Sequence, residues 1–202
     1  VLCLVGSEMC IRDRFMSVLW IVSLIVKDAS IVDIFWGPAF IVLGSSLLVS
    51  MDQVYSERSL FILFLVSLWA IRLASHIGFR NIGHGEDFRY VEWRKESGKN
   101  YWWHSFIRVF LLQGGLCTLV GVSIYFGYLN EKPLSFIETM FASTIFFIGL
   151  AWESISDLQL KAFRKDPKNK GKICKSGLWK YSRHPNYFLS LIHISEPTRH
   201  KT

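Results

Sequence analysis

Between Glu153 and Phe188 the chain collects side chains suited to holding anions and planar rings: "ESISDLQLKAFRKDPKNKGKICKSGLWKYSRHPNYF". Glu153, Asp157, Lys161 and Arg164 fall at i, i+4, i+8 and i+11, so one stripe of a helix begins acidic and ends basic. The plain reading is a ladder of ion pairs, each worth a few tenths of a kcal/mol. Asp166-Pro167 ends that helix, because a residue before proline avoids the helical region and Pro167 has no amide donor. Lys168 to Lys175 form a basic turn, where Lys and Arg serve as donors and counter-charges for phosphates. After Gly177 come Trp179, Tyr181, Arg183, His184, Asn186 and Tyr187. Arg offers a planar fork of donors, Asn and His orient polar groups, and Trp and Tyr present ring faces. Together they suit a flat, phosphorylated cofactor.

A second constellation spans 76–94, with His76, Arg80, Asn81, His84, Glu86, Asp87, Arg89, Tyr90, Glu92 and Arg94. Tyr90 or Glu86 is the candidate acid for polarising a carbonyl or delivering a proton. The rival reading is a solvated loop of paired charges. No metal is expected. His76, His84 and His104 lie eight and twenty residues apart, unlike the clustered boxes of a di-iron site, and Cys3, Cys10, Cys117 and Cys174 form no CxxC pair. Neither GxGxxG nor GxxxxGK[ST] occurs, which leaves a Rossmann domain or P-loop without support. Asp33 is a carboxylate inside an apolar block, and such a group faces a cavity or a polar partner. Gly37-Pro38 follows it and permits a kink with an exposed carbonyl.

The elements that must position these groups are membrane helices. Hydrophobic residues make up 51% of 202, including 16 Phe and 8 Trp, and they come in blocks rather than at amphipathic spacing. The expectation is an all-α, polytopic transmembrane helix bundle with about five spans. Phe15–Val26 is too short to cross alone, and the polar half of the segment before it is not expected to extend the helix. The remaining blocks are Ile31–Ser50, about Ser59–Ser75, about Phe106–Leu129 and about Phe136–Ser156. Connections 27–30, 76–105 and 157–183 carry fifteen Lys and Arg, whereas 51–58 and 130–135 carry only Arg58 and Lys132. That bias puts the basic side, with loops 76–105 and 157–183, in the cytoplasm. The same distribution accounts for the net charge of +7 without nucleic acid as a partner. One domain is expected over 15–188. Residues 1–14 and 189–202 read as foreign ends resembling adapter read-through, with the C-terminal span or spans missing after Phe188.

Residues 157–188, above all "DLQLKAFR" and "GLWKYSRHPNYF", resemble the C-terminal cofactor region of the steroid 5-alpha-reductase-like membrane family. "DIFWGPAF" at 33–40 and "RLASHIGFRNIGHGEDFRYVEWR" at 72–94 look like its bacterial branch, a domain without assigned function. The resemblance implies a helix bundle that uses NADPH to reduce a carbon–carbon double bond conjugated to a carbonyl in a steroid-like or other lipid substrate. By position, Asp157 and Arg164 match the nucleotide-holding acid and arginine, Gly177 the returning turn, and Asn186 the asparagine near the nicotinamide. Arg183, His184 and Tyr187 complete the motif, and Tyr181 joins the cofactor set. In that scheme hydride reaches the β carbon while an acid from 76–94 assists at the oxygen.

The alternative is a membrane methyltransferase using S-adenosylmethionine on a lipid or prenylated substrate, since Arg-His-Pro-x-Tyr also occurs in isoprenylcysteine and phospholipid methyltransferases, which share a related helical core. The basic run 161–175 suits a pyrophosphate and 2'-phosphate better than a nearly charge-balanced methyl donor. A non-catalytic membrane protein is the third reading.

Overall fold

The computed structural model describes residues 2–50, 56–81, 85–130, 132–169, 171–182 and 185. Among them the chain is helical, without β-strands. The helices are α1 (Leu2–Val26), α2 (Ile31–Ser50), α3 (Glu57–Asn81), α4 (Phe88–Ser97), α5 (Tyr101–Ser105), α6 (Leu112–Tyr128) and α7 (Phe136–Lys165). Four helical stretches are long and apolar enough to cross a membrane: α2, α3, the continuous run Phe88–Tyr128 and α7. The protein is therefore an integral, polytopic, all-α membrane protein. Two compact units divide it between Leu134 and Ser135.

In the first unit α1 begins at Leu2, well before the expected start at Phe15. The prediction that the polar segment would not extend the helix is corrected. Met9, Ile11 and the arginines at 12 and 14 are acceptable helix formers, and nothing between Leu2 and Val26 breaks the ladder. α1 ends where Lys27 takes a left-handed backbone, φ 60°, and the Asp28 N–H reaches back to the Ser23 carbonyl at 3.0 Å. This is the six-to-one closure usually given to glycine. The turn hands directly to α2, with the Ser30 N–H bonded to Asp28 Oδ1 at 2.8 Å.

α2 packs on α1, α3 and α6, and buries Val32, Trp36, Ala39, Phe40, Leu43 and Leu47. The helix runs unbroken through Pro38. Gly37 has a packing cause: a Cβ there would sit 2.7 Å from the Ala70 carbonyl oxygen and 3.1 Å from its Cα. Small residues at helix contacts are the membrane solution to close packing, since apolar burial gives little drive in lipid. Beside this contact the Trp36 and Phe40 rings lie 4.9 Å apart and Trp69 closes on Phe40 at 5.7 Å. On the α6 side, Gly121 leaves room for the Leu43 side chain.

The run from α4 to α6 changes winding twice. Gly98–Asn100 forms a 3-10 turn and Phe106–Leu111 a π-helical segment, seen in the Leu112 N–H bonding to the Ile107 carbonyl five residues back. Trp20 of α1 braces this segment. Its ring lies 4.9 Å from Phe106 and its indole N–H donates to the Trp102 carbonyl at 3.0 Å.

The second unit is α7 and the segment that follows. Ser135 and Glu138 form a reciprocal capping box at the start of α7. The helix stops at Lys165, before Asp166-Pro167, as the proline argument requires. The Asp166 carboxylate accepts the Lys168 N–H at 2.9 Å, and the Asn169 side chain donates to the Phe163 carbonyl at 3.1 Å. Asp166 and Asn169 thus tie the turn to the helix end. Gly171, at φ 80°, turns the chain back.

Candidate functional site

In the second unit the returning segment is fixed to the α7 residues that precede the basic end. Leu178 N–H donates to Gln159 Oε1 at 2.9 Å, and the Trp179 indole N–H donates to the Ser156 carbonyl at 3.0 Å. Gly177 makes the approach possible. Its φ is 60°, and a Cβ would fall 2.5 Å from both terminal atoms of the Gln159 amide. The expected role of Gly177 in the returning turn therefore has a local steric cause. Gln159 was not singled out by sequence reasoning. An amide side chain two residues after an acidic helical position carries no motif signal.

Of the expected cofactor residues, Asp157 is buried at 7% exposure, beside the fully buried Ser156, and Arg164 stands exposed two turns later, about 10 Å along the axis. Tyr181 presents its ring to the outside at 79% exposure. Glu153 is buried too, so the acidic half of the stripe is covered and the basic half open. A shallow hollow lies between α7 and the return, lined by Trp152, Ile155, Gln159, Gly177, Lys180 and Tyr181 among others. Lys161, Arg164, Lys165, Lys168, Lys172, Lys175 and Lys180 are all exposed on the helix end and the return. An aromatic-sided hollow in a cationic segment is compatible with a flat phosphorylated group. Arg183, His184, Asn186 and Tyr187 lie outside the described residues.

In the first unit, Tyr90 and Glu86 sit at the start of α4 but in different networks. The buried Tyr90 hydroxyl donates to Asp33 Oδ1 at 3.0 Å. Arg89 Nη2 reaches Asp33 Oδ2 at 3.3 Å and Arg89 Nε reaches Asp87 Oδ1 at 3.1 Å. Asp87 also caps α4 by accepting the Arg89 N–H at 3.0 Å. Glu86 instead forms a two-point pair with Arg94, at 2.8 and 3.0 Å, and accepts the Ala29 N–H at 2.9 Å. Arg94 also donates to the Lys27 carbonyl at 3.2 Å and stacks 4.2 Å from the Tyr101 ring centroid. Glu86 thus clips the α1–α2 turn to α4, a structural engagement that uses both its oxygens. Tyr90 with Asp33 is the arrangement that retains proton chemistry. Asp33 has the polar partners that an acid in an apolar block requires. Among the described residues, no group of three or more His, Cys, Asp or Glu is placed to hold a metal ion.

A stretch of 43 residues, 21% of this chain, is 46% identical to the Probable O-methyltransferase ustE of Ustilaginoidea virens. The chain spans only 15% of the length of that protein. No solved structure matches the chain. Residues 19–194 match the family described as Protein of unknown function (DUF1295), a match that takes in α2 to α7 and both polar constellations. The chain belongs to the DUF1295 family.

Proposed function

We propose that this is a membrane-embedded reductase that uses NADPH to saturate a double bond conjugated to a carbonyl in a steroid-like or other lipid substrate. The observation that carries it is the return of 171–182 onto α7, which forms a shallow hollow with Trp152, Lys180 and Tyr181 in its lining, in a segment whose helix end and return carry seven exposed cations. Lys161, Arg164 and Lys165 at the end of α7 would hold phosphates, Asp157 would orient the nucleotide beside them, Gln159 would fix the returning turn, and Tyr181 would cover a planar ring. Bound NADPH supplies a hydride. The reaction also needs a proton donor for the developing enolate, and within the first unit Tyr90, whose hydroxyl is held by Asp33, is the candidate. Glu86 is the weaker candidate because Arg94 and the Ala29 N–H occupy it.

A methyltransferase using S-adenosylmethionine is the second reading, favoured by the short likeness to a probable O-methyltransferase. The two separate in a thermal-shift titration of the purified protein in detergent. NADPH is expected to raise the unfolding temperature in a dose-dependent way, with NADH weaker and S-adenosylmethionine inert. Stabilisation by S-adenosylmethionine alone would reverse the choice. Stabilisation by neither would support a non-catalytic protein.

A further inference from the structure

We infer that the loop 166–175, beyond the end of α7, is an interfacial anchor for anionic phospholipid headgroups. α7 is long and apolar enough to cross the bilayer, and Phe136, Ile137, Met140, Phe141 and Ile148 along it are all exposed. α7 turns polar after Ser156 and runs on to Lys165, but the chain turns back at Gly171 until the Leu178 N–H meets Gln159, so Ile173 and Lys175 lie on the limb that returns toward the apolar part of the helix. Lys168, Lys172 and Lys175 are exposed there, and Ile173 between them is 76% exposed. An isoleucine held outward among lysines has no partner in water, but at a bilayer interface the apolar side chain enters the acyl boundary while the ammonium groups meet phosphates. Asp166 is the one acid in the loop, and its carboxylate is engaged by the Lys168 N–H. The turn is held to the helix through Asp166 and Asn169, so the lysines are presented from a fixed base. Basic clusters immediately beyond a membrane helix take anionic lipid through this charge complementarity. The inference holds whichever cofactor the second unit takes.

The experiment places the purified chain in nanodiscs of phosphatidylcholine with or without 30% phosphatidylglycerol, without nucleotide. A cysteine at Ile173, nitroxide-labelled, reports depth through accessibility to oxygen and to a water-soluble nickel complex. Burial of the label in the phosphatidylglycerol discs, relieved by high salt, is expected. Retention of phosphatidylglycerol over phosphatidylcholine in detergent should fall about fivefold for each lysine removed in the series Lys168→Gln, Lys172→Gln, Lys175→Gln. It should persist in the matching Lys→Arg series, which controls for folding. Ile173→Ser should weaken it with no change of charge. A label equally water-exposed in both discs would overturn the inference. So would lipid displaced by millimolar inorganic phosphate, which would make the loop a soluble-phosphate site. Failure of NADPH to bind would leave these results unaffected, so the two proposals fail separately.

Discussion

At the scale of single residues, Tyr90 and Asp33 show how far type and position go. An acid inside an apolar block announces that it needs a partner, and a tyrosine among charges announces a candidate donor. Their pairing bridges 57 positions of chain, which no local spacing encodes. Tyr90→Phe should cost about 1 kcal/mol of stability, a single hydrogen bond. If Tyr90 delivers the proton, it should also lower kcat for NADPH-dependent enone reduction about 10²- to 10⁴-fold. Equal losses of stability and activity would assign it a structural role only. Asp33→Asn, which still accepts from the phenol, should retain more activity than Asp33→Leu. Gly177 gives a sharper case. Gly177→Ala places a Cβ in left-handed backbone and against the Gln159 amide, and should destabilise the second unit by about 1–3 kcal/mol. Gln159→Ala should be partly non-additive with it in a double-mutant cycle of thermal unfolding, since it removes the colliding atoms but not the backbone strain.

At the scale of elements, apolar blocks made four membrane-length stretches legible, and Asp166-Pro167 fixed where α7 stops. The continuous helicity from Phe88 to Tyr128 was not legible, because Gly98 and the π-helical segment look like loop or helix equally well in one sequence. The extension of α1 to Leu2 was misread for a related reason: charge content predicts where lipid ends, not where a helix ends. Gly37-Pro38 permits a kink, yet α2 runs on through Pro38 and the glycine serves the α2–α3 contact. Gly37→Val should therefore lower the unfolding temperature strongly, by the equivalent of about 3 kcal/mol or more, since the atoms it meets are backbone. Ala70→Gly should not rescue it, because the Ala70 carbonyl oxygen remains in place. Rescue would show that the helices separate instead of clashing.

At the scale of the whole molecule, charge decides what faces which compartment. The fold organises the two constellations through different devices: a clip of Glu86 and Arg94 on the turn 27–30, and a return strapped to α7 by Gln159 and Ser156. Both constellations fall in connections that carry fourteen Lys and Arg between them, while 130–135 carries only Lys132. The positive-inside rule predicts that the basic connection 157–183 faces the cytoplasm, which impermeant labelling tests. A cysteine introduced at Lys175 should be protected from a membrane-impermeant maleimide in intact bacterial spheroplasts and labelled after lysis. One introduced at Asn130 should be labelled before lysis. Both positions are exposed in the fold, so protection reports the membrane and not packing. Labelling of Lys175→Cys in intact spheroplasts would invert the topology, and an inverted topology would remove the NADPH reading with it, because the basic segment would then face a compartment without the reduced nucleotide.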